Sequence, residues 1–131
     1  MYNRIHALIF LGIFSLFVTV SFAQNNVIVT CEKTVFDFGE ILEKDGKVSH
    51  TFVVKNEGTV PLVISKVTTS CGCTTSDWTK EPISTGKTGE LKVTYDPKNR
   101  PGVFIRTIQL YANGIKNSVI FTIRGKVIQA R

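Results

Sequence analysis

The sequence predicts an all-β chain folded as a two-layer, immunoglobulin-like sandwich of about seven strands, and three observations carry that prediction. From Val27 onward apolar residues recur with period two, and no window sustains the i, i+3, i+4, i+7 spacing of an amphipathic helix. Turn-forming pairs fall at Asp45-Gly46, Glu57-Gly58, Thr85-Gly86, Asp96-Pro97, Pro101-Gly102 and Asn113-Gly114, close to the roughly 8 to 12-residue rhythm of a sandwich. A chain of 131 residues, 43% apolar and 20% charged, is too short for two ordinary domains and too apolar to stay unfolded.

The first stretch reads as an address. Arg4 and His6 precede a run from Leu8 to Phe22 without formal charge, and Ser21-Phe22-Ala23 places small residues where signal peptidase reads. Residues 1–23 are therefore expected to be a cleavable signal peptide, cut after Ala23. A membrane anchor needs ~20 apolar residues, and only about 16 are available with no basic stop signal behind them. Cys31 follows Thr30 and lies beyond the apolar run, which excludes a lipid anchor at that position. The expected location is periplasmic or secreted, without membrane insertion after cleavage.

Residues 24–34 are expected to form a linker or N-terminal strand, and residues 35–131 the sandwich domain. In the first long strand Val48, His50, Phe52 and Val54 share one face, and Ser49, Thr51, Val53 and Lys55 the other. Leu62 and Ile64, with Val67, continue in a strand after Pro61, and Leu91, Val93 and Tyr95 alternate with Lys92 and Thr94. Phe104, Ile108 and Leu110 share a face with Arg106 between them; Val119, Phe121, Ile123 and Val127 share one with Gly125 between. Asn113-Gly114 joins these last two runs as a hairpin whose loop is longer than two residues. A single open sheet would leave one apolar face wet, whereas two sheets about 10 Å apart bury these faces against each other.

The formal net charge is +6, but the lysines stand singly at turn or alternate positions rather than in a stripe with aromatics. Solubility explains them, and no nucleic-acid partner is expected. Gly86-Lys87-Thr88 looks like the end of a phosphate loop, but Glu81 stands where that loop needs its first glycine. Beyond the leader His50 is the only imidazole and no Gly-x-Ser-x-Gly occurs, so a hydrolytic triad is not expected. No cofactor is expected either. Trp78, with Phe36 and Phe38, is read as packing at a sheet edge in preference to a sticky patch, since large aromatics usually fill cores.

Phe36-Asp37-Phe38-Gly39-Glu40-Ile41, His50-Thr51-Phe52, Lys55-Asn56-Glu57-Gly58, Pro61-Leu62-Val63-Ile64, Thr68-Thr69-Ser70-Cys71-Gly72-Cys73-Thr74 and Tyr95-Asp96-Pro97 with Gly102 together closely resemble the bacterial DUF1573 family. The resemblance runs from about Val35 to Val127 and leaves Cys31 outside. It implies an immunoglobulin-like sandwich of the sperm-protein and ASH type in secreted or envelope proteins, and it carries no catalytic assignment.

Three cysteines in an oxidising compartment allow one internal bridge and leave one thiol over. A Cys71–Cys73 bridge closes so small a loop that chain entropy gives it only ~1.5 kcal/mol, against ~4 kcal/mol for a bridge from Cys31 to either partner. On an extended strand residues two apart have Cα atoms ~6.5 to 7 Å apart, at the upper edge for a disulfide, unless Gly72 bends the chain. Three readings of Cys71 and Cys73 stay open: a shaped corner with or without a bridge, a reversible dithiol exchanging with an envelope oxidoreductase, and a soft-metal site for copper(I) or zinc. In the last, Cys31 is a possible third sulfur and His50 a possible third ligand, although a lone strand histidine is more often packed and locally satisfied. The function expected from the whole is non-enzymatic. It is that of a structural or interaction module which holds an envelope or secreted protein through an exposed sheet edge or end loops. The alternative is a thiol-dependent redox or metal-binding role centred on Cys71-Gly72-Cys73.

Overall fold

The computed structural model describes residues 18–21 and 25–129. Apart from residues 18–21, the expected leader and its cleavage position after Ala23 lie outside the described residues. Among the described residues no helix is long and apolar enough to cross a membrane.

Alternation builds two sheets. The strands are β1 (Val29–Thr30), β2 (Val35–Leu42), β3 (Val48–Asn56), β4 (Ile64–Thr69), β5 (Thr74–Trp78), β6 (Thr88–Tyr95), β7 (Gly102–Ala112) and β8 (Val119–Ile128), with one 3-10 turn at Glu43–Asp45. One sheet has the order β1-β3-β6-β5 and the other β2-β8-β7-β4. The eight strands agree with the expected seven or so, and the two-residue β1, in the stretch expected to be a linker or N-terminal strand, pairs Val29 with Asn56 and Thr30 with Lys55.

The alternating residues meet between the layers. Phe52, Val54, Leu91, Val93 and Tyr95 from the first sheet face Phe104, Ile108, Leu110, Phe121, Ile123 and Val127 from the second, all buried. Rings cross the interface: Phe52 lies 4.9 Å from Phe121, and Tyr95 stacks on Phe104 at 4.0 Å. Such pairs add about 0.5–1.5 kcal/mol each beyond their area. Asn56 is wholly buried but satisfied, donating to the carbonyls of Val60 and Ile83 and accepting from Gly58 N. That satisfaction offsets the cost of taking an amide out of water.

β7 and β8 form the expected hairpin around Asn113-Gly114, with Gly102 paired to Val127 at its far end. β2 pairs with β8 in parallel, a crossing that alternation alone does not encode. Its register shifts between Asp37 and Glu40, where Gly39 takes φ 67° and donates its N–H to Asp37 Oδ1. β5 was not foreseen either: it carries no aliphatic residue, and its inward positions are Thr74, Ser76 and Trp78.

The chain changes sheet at two places that matter below. Between β1 and β2 it passes through Cys31, and between β4 and β5 through Cys71-Gly72-Cys73.

Candidate functional site

The β4–β5 corner is built from small residues. Thr69 Oγ1 donates toward the carbonyls of both Cys71 and Thr74, 3.2 Å from each, and Thr74 N donates to Cys71 O. These bonds turn the chain within four residues. The bend brings the Cα atoms of Cys71 and Cys73 to 5.2 Å, and the two sulfurs are bonded. Gly72 is exposed, and a Cβ there would meet nothing within 4 Å, so it serves the bend rather than a close approach.

The two sulfurs have different surroundings. Cys73 is 6% exposed, whereas Cys71 is half-buried, packs against the core and accepts the Cys73 N–H at its Sγ at 3.1 Å. Arg106, on the inward stripe of β7 between Phe104 and Ile108, donates Nε–H toward Cys73 Sγ at 3.4 Å. Its guanidinium carbon lies 5.9 Å above the Tyr95 ring, and its Nη1 donates to the Ile105 carbonyl. Thr74 Oγ1 is 3.8 Å from Cys73 Sγ. Tyr95, paired with Thr74 across the strands, keeps a buried hydroxyl with no hydrogen-bond partner among the described residues.

The other sequence-derived residues lie apart. Cys31 is a free, half-buried thiol whose pKa burial pushes up, which suits a packed residue more than a reactive one. It follows β1, at the opposite edge of the first sheet from β5, so three strand spacings of about 4.8 Å separate it from the corner. His50 stacks on Phe36 at 3.7 Å with Phe52 edge-on at 4.7 Å; desolvation, then the charge of Lys33, holds its pKa below the usual value. Of the candidates for the soft-metal reading, Cys71 and Cys73 are thus bonded to each other, while Cys31 and His50 lie in other parts of the sandwich. Among the described residues no group of three or more Cys, His, Asp or Glu is placed to hold a metal ion. Phe36, Phe38 and Trp78 pack against the core, and Lys80 Nζ sits 3.0 Å above the Trp78 ring centroid.

A second feature is the outer face of the β2-β8-β7-β4 sheet. Period two sends Val35, Val103, Ile105 and Ile120 outward, where they are 51%, 76%, 59% and 54% exposed. Asp37 and Arg124 form an ion pair on this face at 3.1 Å, and Glu40 pairs in register with Lys126. Asp37, Glu40, Val103, Ile105, Arg124 and Lys126 line a shallow cavity of about 430 Å³. The outer face of the β1-β3-β6-β5 sheet instead shows Ser49, Thr51, Lys55, Lys92 and Thr94, with Val53 its one large exposed aliphatic.

The sheet edges are blunted. β2 and β4 each carry a register shift, and β5 has five residues. Along β3, Glu32 and Lys33 stand beside His50 to Val53 across a small cavity. Bulges and short edge strands are devices that discourage added strands.

Arg106 was visible in the sequence only as a charge inside an apolar stripe; its sulfur partner comes from β4–β5, 33 residues away. The outward aliphatics occupy the other half of the alternation that buries Phe104, Ile108, Phe121 and Ile123.

The family DUF1573, described as a protein of unknown function, matches residues 29–127. The match reaches back through β1 and includes Cys31, which the resemblance had left outside. No curated protein matches. Among solved structures the chain is similar to a protein of unknown function from Porphyromonas gingivalis W83, at 16% identity and TM-score 0.66, over 78% of this chain and 47% of that one. It is also similar to the VesB protease of Vibrio cholerae, at 21% identity and TM-score 0.57, over 79% and 32%. A family 123 glycoside hydrolase from Clostridium perfringens matches at 11% identity and TM-score 0.60, over 80% and 28%. These likenesses are of fold, and the chain spans less than half the length of each.

Proposed function

This chain belongs to the DUF1573 family, and from that premise we propose that it is a non-enzymatic module, exported on its leader to the periplasm or the secreted space. In this reading it holds another protein against the outer face of its β2-β8-β7-β4 sheet. The observation that carries the reading is the asymmetry between the faces, since five large aliphatics, Val35, Leu42, Val103, Ile105 and Ile120, stand exposed on this one and Val53 on the other. Scattered apolar residues on a surface need no explanation, but a group on one sheet face marks a contact site.

The size of the face suits a protein partner. Four strands about 4.8 Å apart, each rising about 3.3 Å per residue, give a face of ~600 Å², near the ~800 Å² each partner contributes to a standard interface. Arg124 stands in register beside Ile105 and Lys126 beside Val103, with Asp37 and Glu40 across β8 from them, so charges of both signs are interleaved with the aliphatics. A complementary surface would present apolar side chains and opposite charges side by side. In the solved neighbours the matching sandwich is one part of a longer chain, an arrangement that suits a module working against another protein body. The single imidazole of the described residues is sandwiched by phenylalanine rings, which favours a packing role over proton transfer.

The test is a pair of double variants expressed in the native host with an affinity tag. Val103→Lys/Ile105→Lys is expected to lose the co-purifying partner while melting like the parent, and Thr51→Lys/Thr94→Lys is expected to keep it. Equal retention by both variants overturns the reading.

A further inference from the structure

We propose that the Cys71–Cys73 bridge is a redox-active disulfide, opened by an exposed protein dithiol, and that Arg106 is the positioning residue which holds Cys73 as the leaving thiolate. The proposal stands independently of the docking face. Three observations point to it. The bridge joins residues only two apart in sequence, so it constrains the unfolded chain little and is a poor staple. Its sulfurs are unequal, with Cys71 partly open to solvent and Cys73 buried.

The third observation is Arg106. It stands on the inward stripe of β7 with no carboxylate within salt-bridge distance among the described residues, and its Nε–H is aimed at Cys73 Sγ. A disulfide sulfur is a weak acceptor and does not account for a half-buried cation. A thiolate at the same atom does, because a guanidinium at hydrogen-bond distance stabilises the charged form. Thr74 Oγ1, 3.8 Å from the same sulfur, is a second donor in place.

A thiolate of the partner dithiol attacks the more exposed Cys71 Sγ, a partner–Cys71 disulfide forms, and the Cys71–Cys73 bond breaks with its electron pair going to Cys73 Sγ beside Arg106. The partner's second thiolate then attacks its own sulfur in the mixed disulfide and releases Cys71 as a thiolate, which takes a proton from water. Two electrons have passed, the partner dithiol has become a disulfide, and Cys71 and Cys73 are a dithiol. Exchange is favoured by a good leaving thiolate, which is what the Arg106 contact supplies.

The experiment uses the mature chain carrying Cys31→Ser, so that Cys71 and Cys73 are its only thiols. Dithiothreitol, the probe dithiol, is expected to open the bridge at pH 7 with the folded circular-dichroism spectrum retained. Arg106→Gln is expected to slow opening about tenfold, and Arg106→Lys to recover most of the rate. In the Cys31→Ser/Cys71→Ser variant, the pH profile of alkylation is expected to place Cys73 below the ordinary thiol range, with Arg106→Gln raising it by about one unit. If Arg106→Gln does not fold, the Cys73 profile with arginine present decides. An ordinary Cys73 titration, opening rates unchanged by Arg106→Gln, or unfolding of the domain on reduction each overturns the proposal.

Discussion

The two sheets share one core yet differ in what they show to solvent, and the difference separates what folding demands from what it leaves free. Inward positions are interchangeable in kind: Phe52 and Leu91 from one sheet and Phe121 and Leu110 from the other are all sealed between the layers. Outward positions are not. The β1-β3-β6-β5 sheet turns out threonine, serine and lysine, as a water-facing sheet does, whereas the β2-β8-β7-β4 sheet turns out Val103, Ile105, Ile120 and Val35. The core does not require these outward side chains, and the proposed contact surface rests on them.

The largest effect tests the shared half of the comparison. Phe121→Ala is expected to cost about 3–5 kcal/mol and Leu91→Ala about 2–5 kcal/mol in denaturant unfolding, because each opens a cavity in the same core. A loss near zero in either sheet would mean that the layers do not seal a common interior.

Next comes a position peculiar to the β2-β8-β7-β4 sheet. Gly125 lies under the Phe104 ring and beside the β2 bulge, and a Cβ there would come within 2.9 Å of both the Gly39 carbonyl oxygen and Phe104 ring carbons. Gly125→Ala is expected to cost about 1–3 kcal/mol by overpacking. Gly72→Ala, at a site with open space, is expected to be mild, and the ratio of the two sharpens the view that β2 rests closely on β8.

A smaller, pH-dependent effect belongs to the aromatic column at the β2–β3 side. His50 has a pKa held below the ordinary histidine value of 6.5 by desolvation and by Lys33. The unfolded chain therefore binds more protons than the folded one in the window beneath that value, and stability falls as pH drops through it. Melting temperatures followed downward from about pH 8 are expected to decline more in the parent than in His50→Phe, which keeps the stack on Phe36 without the titration. Parallel curves would remove His50 as the source.

The smallest stability effect is expected on the outer faces. Val103→Lys and Thr51→Lys should each shift unfolding by no more than about 0.5 kcal/mol. Their difference lies in binding, and a large stability loss at Val103 would mean that this residue packs within the domain instead.

Much of the fold was legible because period two is a strong signal where aliphatics alternate. The inward stripe from Val48 to Val54, the Leu91-Val93-Tyr95 run, and Gly125 among Phe121, Ile123 and Val127 all stand where alternation put them. β5 escaped because Thr74-Thr75-Ser76-Asp77-Trp78 has polar atoms on both faces, and only Trp78 adds bulk inside. The parallel β2–β8 pairing escaped because it joins Val35 to Thr122, a contact no local pattern records. For the corner, spacing left three readings of Cys71 and Cys73. The bend that brings them together depends on Thr69 bonding across the turn, and the charge beside them comes from a distant strand.

The most direct measurement places a photo-crosslinking residue at Ile105 on one face or at Lys92 on the other, in living cells. The account predicts a discrete covalent adduct from position 105 that disappears when Val103→Lys is added, and none from position 92. Adducts of equal yield from both positions, or one from 105 that survives Val103→Lys, would contradict it.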